Sequence, residues 1–248
     1  MATVHLIDFT GKGRPDEEWH AADVLMFTKS TRLNMTPGLM ANIKSMHAGD
    51  KQRELQYMAN TIQSSWEFVD VTFLIEGVTR AVAQQITRTR TASYAMQSQR
   101  VNDLSDIDVL NPFGDDGATH ESVLFTAAVN DCRRTYGDLI AGGAKKEDAR
   151  GIMPMNTRCN LVAKYNLRSL VDVMKARRSM RAQGEYADIA IQMQAAVLHV
   201  WPWAAPFFAD KQAAALAMLE QAAKDVGITV GSGPGWEIAK AIDLIRKG

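Results

Sequence analysis

Cysteine is almost absent from this 248-residue chain: Cys132 and Cys159 stand far apart and outside any CxxC spacing. That pattern excludes a disulfide framework and offers no zinc site. Histidine is scarce as well. His5, His20, His47, His120 and His199 show no metal-ligand spacing such as HExxH, so no metal is expected. No apolar run reaches the roughly 18 residues that a membrane span needs, and no signal-peptide pattern opens the chain. The expectation is a cytoplasmic, reduced protein with no membrane partner. Excess charge is lacking too: 28 basic residues balance 28 acidic ones, which argues against a binder of nucleic acid polymers. No internal repeat or separating linker is visible, so one domain over residues 1–248 is expected.

The charges that are present are unevenly placed. From Arg150 to Arg181 there are eight Lys/Arg and a single acid, Asp172. A local basic field in a neutral protein suits a small anionic ligand. The segment 88–100, Arg-Thr-Arg-Thr-Ala-Ser-Tyr-Ala-Met-Gln-Ser-Gln-Arg, holds three arginines and no acid. Guanidinium forks bind phosphate in bidentate fashion, and the interleaved hydroxyls and amides satisfy remaining oxygens or a base edge.

Local patterns predict a short strand at Val4–Phe9 and helices at Asp16–Leu33, Leu39–His47 and Lys51–Ile62. Phe68–Glu76 reads as the clearest strand, with Val69, Val71, Phe73 and Ile75 on one face and Gly77 as its end. Thr79 then caps a helix to about Thr87, which delivers Arg88 into a loop. Residues 102–119 read as irregular, Glu121–Ile140 as helix and Lys145–Arg150 as a short charged helix. Two apolar stripes follow: Leu167, Leu170, Val171, Met174, then Tyr186, Ile189, Ala190, Met193, Val197, Trp201. A helix over Asp210–Lys224, a plain turn at Gly231–Gly235 and a last short helix complete the reading. Trp201, Trp203, Phe207 and Phe208 are expected in the core or at a subunit contact.

Arg88, Arg90 and Ser98, followed by Gln99-Arg100, form an Arg-X-Arg, seven-residue, Ser pattern. With Glu76-Gly-Val-Thr-Arg80 and Gln85 upstream, and Ala149-Arg150-Gly-Ile-Met-Pro154, Asn166-Leu-Arg168-Ser-Leu170, Arg177 and Ala182-Gln183-Gly-Glu185 downstream, the chain resembles the flavin-dependent thymidylate synthases (the ThyX family). The resemblance covers about residues 63–190. It implies an α/β (α+β) fold, helix-rich with a small, mostly antiparallel sheet, assembled as a homotetramer whose active sites combine residues of several subunits. It also implies FAD as cofactor, with NADPH and 5,10-methylenetetrahydrofolate as co-substrates. The reaction would carry a one-carbon unit to C5 of a pyrimidine deoxynucleoside monophosphate, dUMP to dTMP.

Position by position, the resemblance assigns the nucleotide to Gln85, Gln97, Ser98, Gln99, Arg100 and Arg150, with Arg177 at the base carbonyl edge. Ser98 would polarise the pyrimidine, and the Arg177 charge would stabilise negative charge developing on the ring. The flavin side would be Glu67, Arg88, Thr89, Arg90, Thr91, Asn166, Arg168, Asp172 and Arg181. No cysteine nucleophile is required, and neither cysteine has a nucleophile's setting.

Three positions depart from the pattern. Thr89 replaces the signature histidine, Ser65-Trp66-Glu67-Phe68 replaces a Leu-Glu-His element, and Arg181 stands where histidine is common. Fewer imidazoles mean fewer groups that exchange protons near neutral pH. Two alternatives follow: a divergent homologue making a modified nucleotide (hydroxymethylation of dUMP, or methylation or hydroxymethylation of dCMP), or a nucleotide-binding module without turnover.

Overall fold

Alternating apolar residues build the sheet around one long strand. In β2 (Asp70–Thr79), Val71, Phe73 and Ile75 are buried and their neighbours are not. In the computed structural model β2 lies between β1 (Thr3–Phe9) and β4 (Arg158–Asn166), and β4 carries β3 (Ala92–Met96) on its far side. All three pairings are antiparallel, giving the order β1-β2-β4-β3. The structure describes residues 1–31, 37–114, 117–177, 184–210, 218 and 221. Among these, helices outweigh strands, so the class is α+β with a small antiparallel sheet. No helix of the described residues is long and apolar enough to cross a membrane.

Gly77 does not end the second strand, contrary to the sequence expectation. The strand continues to Thr79 through a bulge, with the register to β4 shifting between Ile75 and Val78. Gly77 sits there at φ 68°, a left-handed conformation that favours glycine. The bulge restores the inward face, because Val78 is fully buried. Thr79 then caps α4 (Arg80–Ile86), its Oγ1 accepting from the Val82 amide at 3.3 Å.

Two helices pack as their stripes foretold. α7 (Leu167–Arg177) buries Leu167, Leu170, Val171 and Met174, and α8 (Gly184–Val200) buries Tyr186, Ile189, Ala190, Met193 and Val197. Glu185 joins α8 to the end of β2, its carboxylate accepting from Thr79 N at 2.9 Å and Thr79 Oγ1 at 2.6 Å. Near the N-terminus, α1 (Glu17–Ser30) and α3 (Ala48–Thr61) flank α2 (Leu39–Ser45) in sequence. A buried ion pair, Lys51 Nζ to Asp23 Oδ1 at 2.5 Å, ties α3 to α1. Trp201, Trp203 and Phe207 are core residues, with Trp66 edge-on to Phe207 and Phe9 edge-on to Trp201.

α5 (His120–Ala141) is different. Of its 22 residues only Ser122, Val129 and Tyr136 are buried, while Val123 and Leu124 are 53% and 57% exposed. α6 (Lys146–Ala149) follows it. The chain divides into two compact units, Met1–Phe207 and Phe208–Gly248. The expected tail elements fall, apart from Asp210, Met218 and Gln221, outside the described residues.

Candidate functional site

β3 has a group of polar side chains at each end. At its start, the loop after α4 carries Arg88, Thr89, Arg90 and Thr91. The Tyr94 hydroxyl donates to the Thr89 carbonyl at 3.1 Å and shares a 3.2 Å hydrogen bond with the Tyr165 hydroxyl. The two rings meet edge-to-face, centroids 5.9 Å apart. Tyr186 comes from α8 to the same place, beside Thr89. Its ring lies under the Arg177 guanidinium, 4.3 Å from carbon to centroid, and its buried hydroxyl, close to Arg177 and Thr89, makes no well-formed hydrogen bond among the described residues. Burial pushes all three phenols above the ordinary tyrosine range, Tyr165 most.

Ser169, in the first turn of α7, reaches the same loop. Its Oγ lies 2.8 Å from Thr91 Oγ1, while its backbone N–H donates to Asn166 Oδ1 at 2.8 Å. Asn166 thus caps α7 and fixes where that helix begins. An open cleft of about 300 Å³ adjoins this loop, lined by Asp70, Arg90, Thr91, Ser93, Lys164 and Asn166. On its wall Lys164 pairs with Asp70 at 2.8 Å, which holds the ammonium above its usual range. Glu67 and Arg168 form a half-exposed ion pair at 2.7 Å. Arg88 and Arg90 are exposed and make no ion pair among the described residues.

At the far end of β3 the chain is pinned and then turns outward. Gln97 N–H donates to the Asn160 carbonyl, its side-chain oxygen accepts from Asn160 N–H at 3.0 Å, and its carbonyl accepts from Arg80 Nη1 at 3.1 Å. The Ser98 hydroxyl accepts the Arg100 N–H at 3.1 Å. Arg100 Nε and Nη2 both donate to one oxygen of Glu147, at 3.0 and 2.8 Å. The Glu147 carbonyl accepts from Arg150 Nε at 3.0 Å. Two arginines from separate stretches therefore converge on one acidic residue.

The two groups stand at opposite ends of a five-residue strand, a span of roughly 16 Å at about 3.3 Å per residue. Thr91 and Asn166, with the Thr89 carbonyl bonded to Tyr94, stand toward one end, and Gln97, Ser98, Gln99 and Arg100 stand at the other, with Arg150 linked to Arg100 through Glu147. Arg177 stands at the end of α7 against the Tyr186 ring. Gln85 sits on α4, and Asp172 is exposed on α7. Arg181, like Ala182 and Gln183, lies outside the described residues.

Sequence reasoning missed three residues of this arrangement. Tyr165 was signalled by the alternation of Cys159, Leu161, Ala163 and Tyr165, all buried along β4. Tyr186 was placed in the core stripe without its contact to Arg177. Glu147 gave no signal, since its bond to Arg100 spans 47 residues.

The sequence model of the family described as thymidylate synthase complementing protein matches residues 6–203. The chain is 32% identical over 169 residues to a flavin-dependent thymidylate synthase of Nitratidesulfovibrio vulgaris, covering 62% of this chain and 69% of that one. It is 34% identical over 142 residues to a flavin-dependent thymidylate synthase of Geobacter sulfurreducens, covering 56% and 61%. A third, from Thermococcus onnurineus, is 33% identical over 139 residues, with 53% and 55% covered. The matches span between about half and two thirds of those relatives' lengths.

Proposed function

Because the chain belongs to the thymidylate synthase complementing protein family, we propose that it is a flavin-dependent thymidylate synthase converting dUMP to dTMP. The one-carbon unit comes from 5,10-methylenetetrahydrofolate and the electrons from NADPH. The observation that carries this reading is the convergence of Arg100 and Arg150, far apart in sequence, at the end of β3. The matched relatives are named for thymidylate synthesis, which favours it over a modified-nucleotide product.

In this reading the 5′-phosphate lies against Arg100 and Arg150, with Gln85 and the Gln97–Gln99 backbone completing the nucleotide grip. Ser98 keeps its hydroxyl hydrogen for the pyrimidine, because its oxygen is the acceptor for Arg100 N–H. Arg177 rests its face on Tyr186 and keeps its N–H edge for the base carbonyl. There it stabilises negative charge that develops on the ring.

The residues at the start of β3 fit FAD. Arg90 is an exposed guanidinium on a polar cleft that Thr91 and Asn166 also line, and Arg88, likewise exposed, lies two residues before it, a donor set suited to a diphosphate. Glu67, Thr89, Arg168 and Asp172 complete that side, and the family pattern adds Arg181, which lies outside the described residues. When bound, FAD supplies the redox and one-carbon-carrier chemistry. The protein's part is to bind, orient and exclude water.

The assembly is a homotetramer with shared sites. Two features support it: the residue sets lie at opposite ends of β3, and α5 leaves Val123 and Leu124 uncovered. The test is to incubate the purified protein with dUMP, methylenetetrahydrofolate, FAD and NADPH and to identify the product. Formation of dTMP that depends on added FAD supports the reading. A protein that binds dUMP, takes up no flavin and yields no dTMP refutes it.

A further inference from the structure

We propose that Glu147 is the positioning residue of a two-arginine phosphate fork, holding Arg100 with its side chain and Arg150 with its backbone. The inference rests on the nucleotide reading above and adds to it a residue that does not itself touch the nucleotide.

The argument is one of hydrogen-bond inventory. A guanidinium has five N–H donors in a fixed plane and presents two usable forks, one along Nε and Nη2 and one across the two terminal nitrogens. Glu147 Oε2 takes the Nε and Nη2 donors of Arg100 at 3.0 and 2.8 Å. The Glu147 carbonyl takes the Nε donor of Arg150 at 3.0 Å. No other hydrogen bond or ion pair of either guanidinium occurs among the described residues. One residue thus occupies the Nε side of both arginines and leaves both terminal ends open. A phosphate dianion has oxygens enough to accept from both. The Ser98 hydroxyl fixes the Arg100 backbone from below by accepting its N–H at 3.1 Å. Arg100, whose side chain is 65% exposed, is therefore held at its backbone and along one guanidinium edge. Ordering two long side chains before the ligand arrives removes an entropic cost from binding.

The competing possibility has the opposite sign. A carboxylate already seated on Arg100 would be a rival anion, and its removal would tighten phosphate binding. The geometry speaks against rivalry, since the carboxylate sits along the Nε edge and leaves the terminal fork vacant.

The test uses the whole 248-residue chain with Glu147→Ala and Glu147→Gln, reading dissociation constants for dUMP and for deoxyuridine, which lacks the phosphate, together with kcat. Glu147→Ala should weaken dUMP binding about tenfold, the scale of one charge-assisted hydrogen bond. Deoxyuridine binding and kcat at saturating dUMP should be unchanged, and Glu147→Gln, which keeps an oxygen acceptor, should fall between. Unchanged or tighter dUMP binding in both variants overturns the proposal. So does an equal loss for dUMP and deoxyuridine, which marks a merely structural role. Should Glu147→Ala fail to fold, Glu147→Gln alone decides by the same ratio. A wild-type protein that binds deoxyuridine and dUMP equally, or neither, defeats the nucleotide reading itself, and this inference with it.

Discussion

Two tyrosines of one cluster make a matched pair for a single-atom perturbation. The half-buried Tyr94 hydroxyl bonds both the Thr89 carbonyl and the Tyr165 hydroxyl, whereas the more deeply buried Tyr186 hydroxyl, though close to Arg177 and Thr89, makes no well-formed hydrogen bond among the described residues. Removing the oxygen of Tyr94 strands two partners, which costs about 1–3 kcal/mol. Removing the oxygen of Tyr186 relieves an unpaired buried dipole and is neutral or stabilising by about 1 kcal/mol. For a chain of this size about 1 kcal/mol moves Tm by about 2–4 °C. Tyr94→Phe should therefore melt several degrees lower and Tyr186→Phe no lower than wild type. The ring matters separately. Tyr186→Phe keeps a π face under Arg177, but Tyr186→Leu loses a contact worth about 0.5–2 kcal/mol and should release Arg177. Thermal unfolding and kcat measured on the three variants check this. A Tyr186→Phe variant that melts well below wild type would show that its hydroxyl is bonded, and the reasoning fails.

Two further outcomes follow from buried charge and buried phenols. Asp23→Ala leaves Lys51 unpaired in the core, so it should cost about 3–5 kcal/mol by urea unfolding, most of it recovered in Asp23→Leu/Lys51→Met. Tyr165 and Tyr186 have folded pKa values raised by burial, so their neutral forms stabilise the fold fully below pH 10. That stability is then lost as pH rises, at about 1.4 kcal/mol per pH unit for each. Alkaline titration should show their phenolate absorbance appearing only with unfolding; smooth ionisation of every tyrosine near pH 10 in the folded protein contradicts it.

The sequence announced the helices more fully than the sheet. The stripes on α7 and α8 are read from period alone, because each faces a single core. The cap at Thr79 was equally legible, since its side chain bonds within its own helix turn. β4 was missed although Cys159, Leu161, Ala163 and Tyr165 alternate, because Arg158 and Lys164 drew the stretch into a basic field. β3 was missed for a different reason: Ala92-Ser-Tyr-Ala-Met has little strand character of its own and is ordered by pairing with β4. Gly77 was read as a stop, yet its left-handed φ makes it a bulge within the strand. For the site, the motif spacing identified the arginines but not their arrangement. The Arg100–Glu147 bond follows from chain folding over 47 residues.

The central proposal is that one site draws its groups from more than one chain, since Arg90, Thr91 and Asn166 on one side and Ser98 and Arg100 on the other stand at opposite ends of β3 within a single protomer. Co-assembly of two inactive variants, Arg100→Ala and Arg90→Ala, tests it most directly by measuring dTMP formation. Mixed oligomers contain some sites in which both losses fall together and others in which neither does. The account predicts that activity absent from either variant alone returns in the mixture. Mixed oligomers that form and remain as inactive as their parents would contradict it.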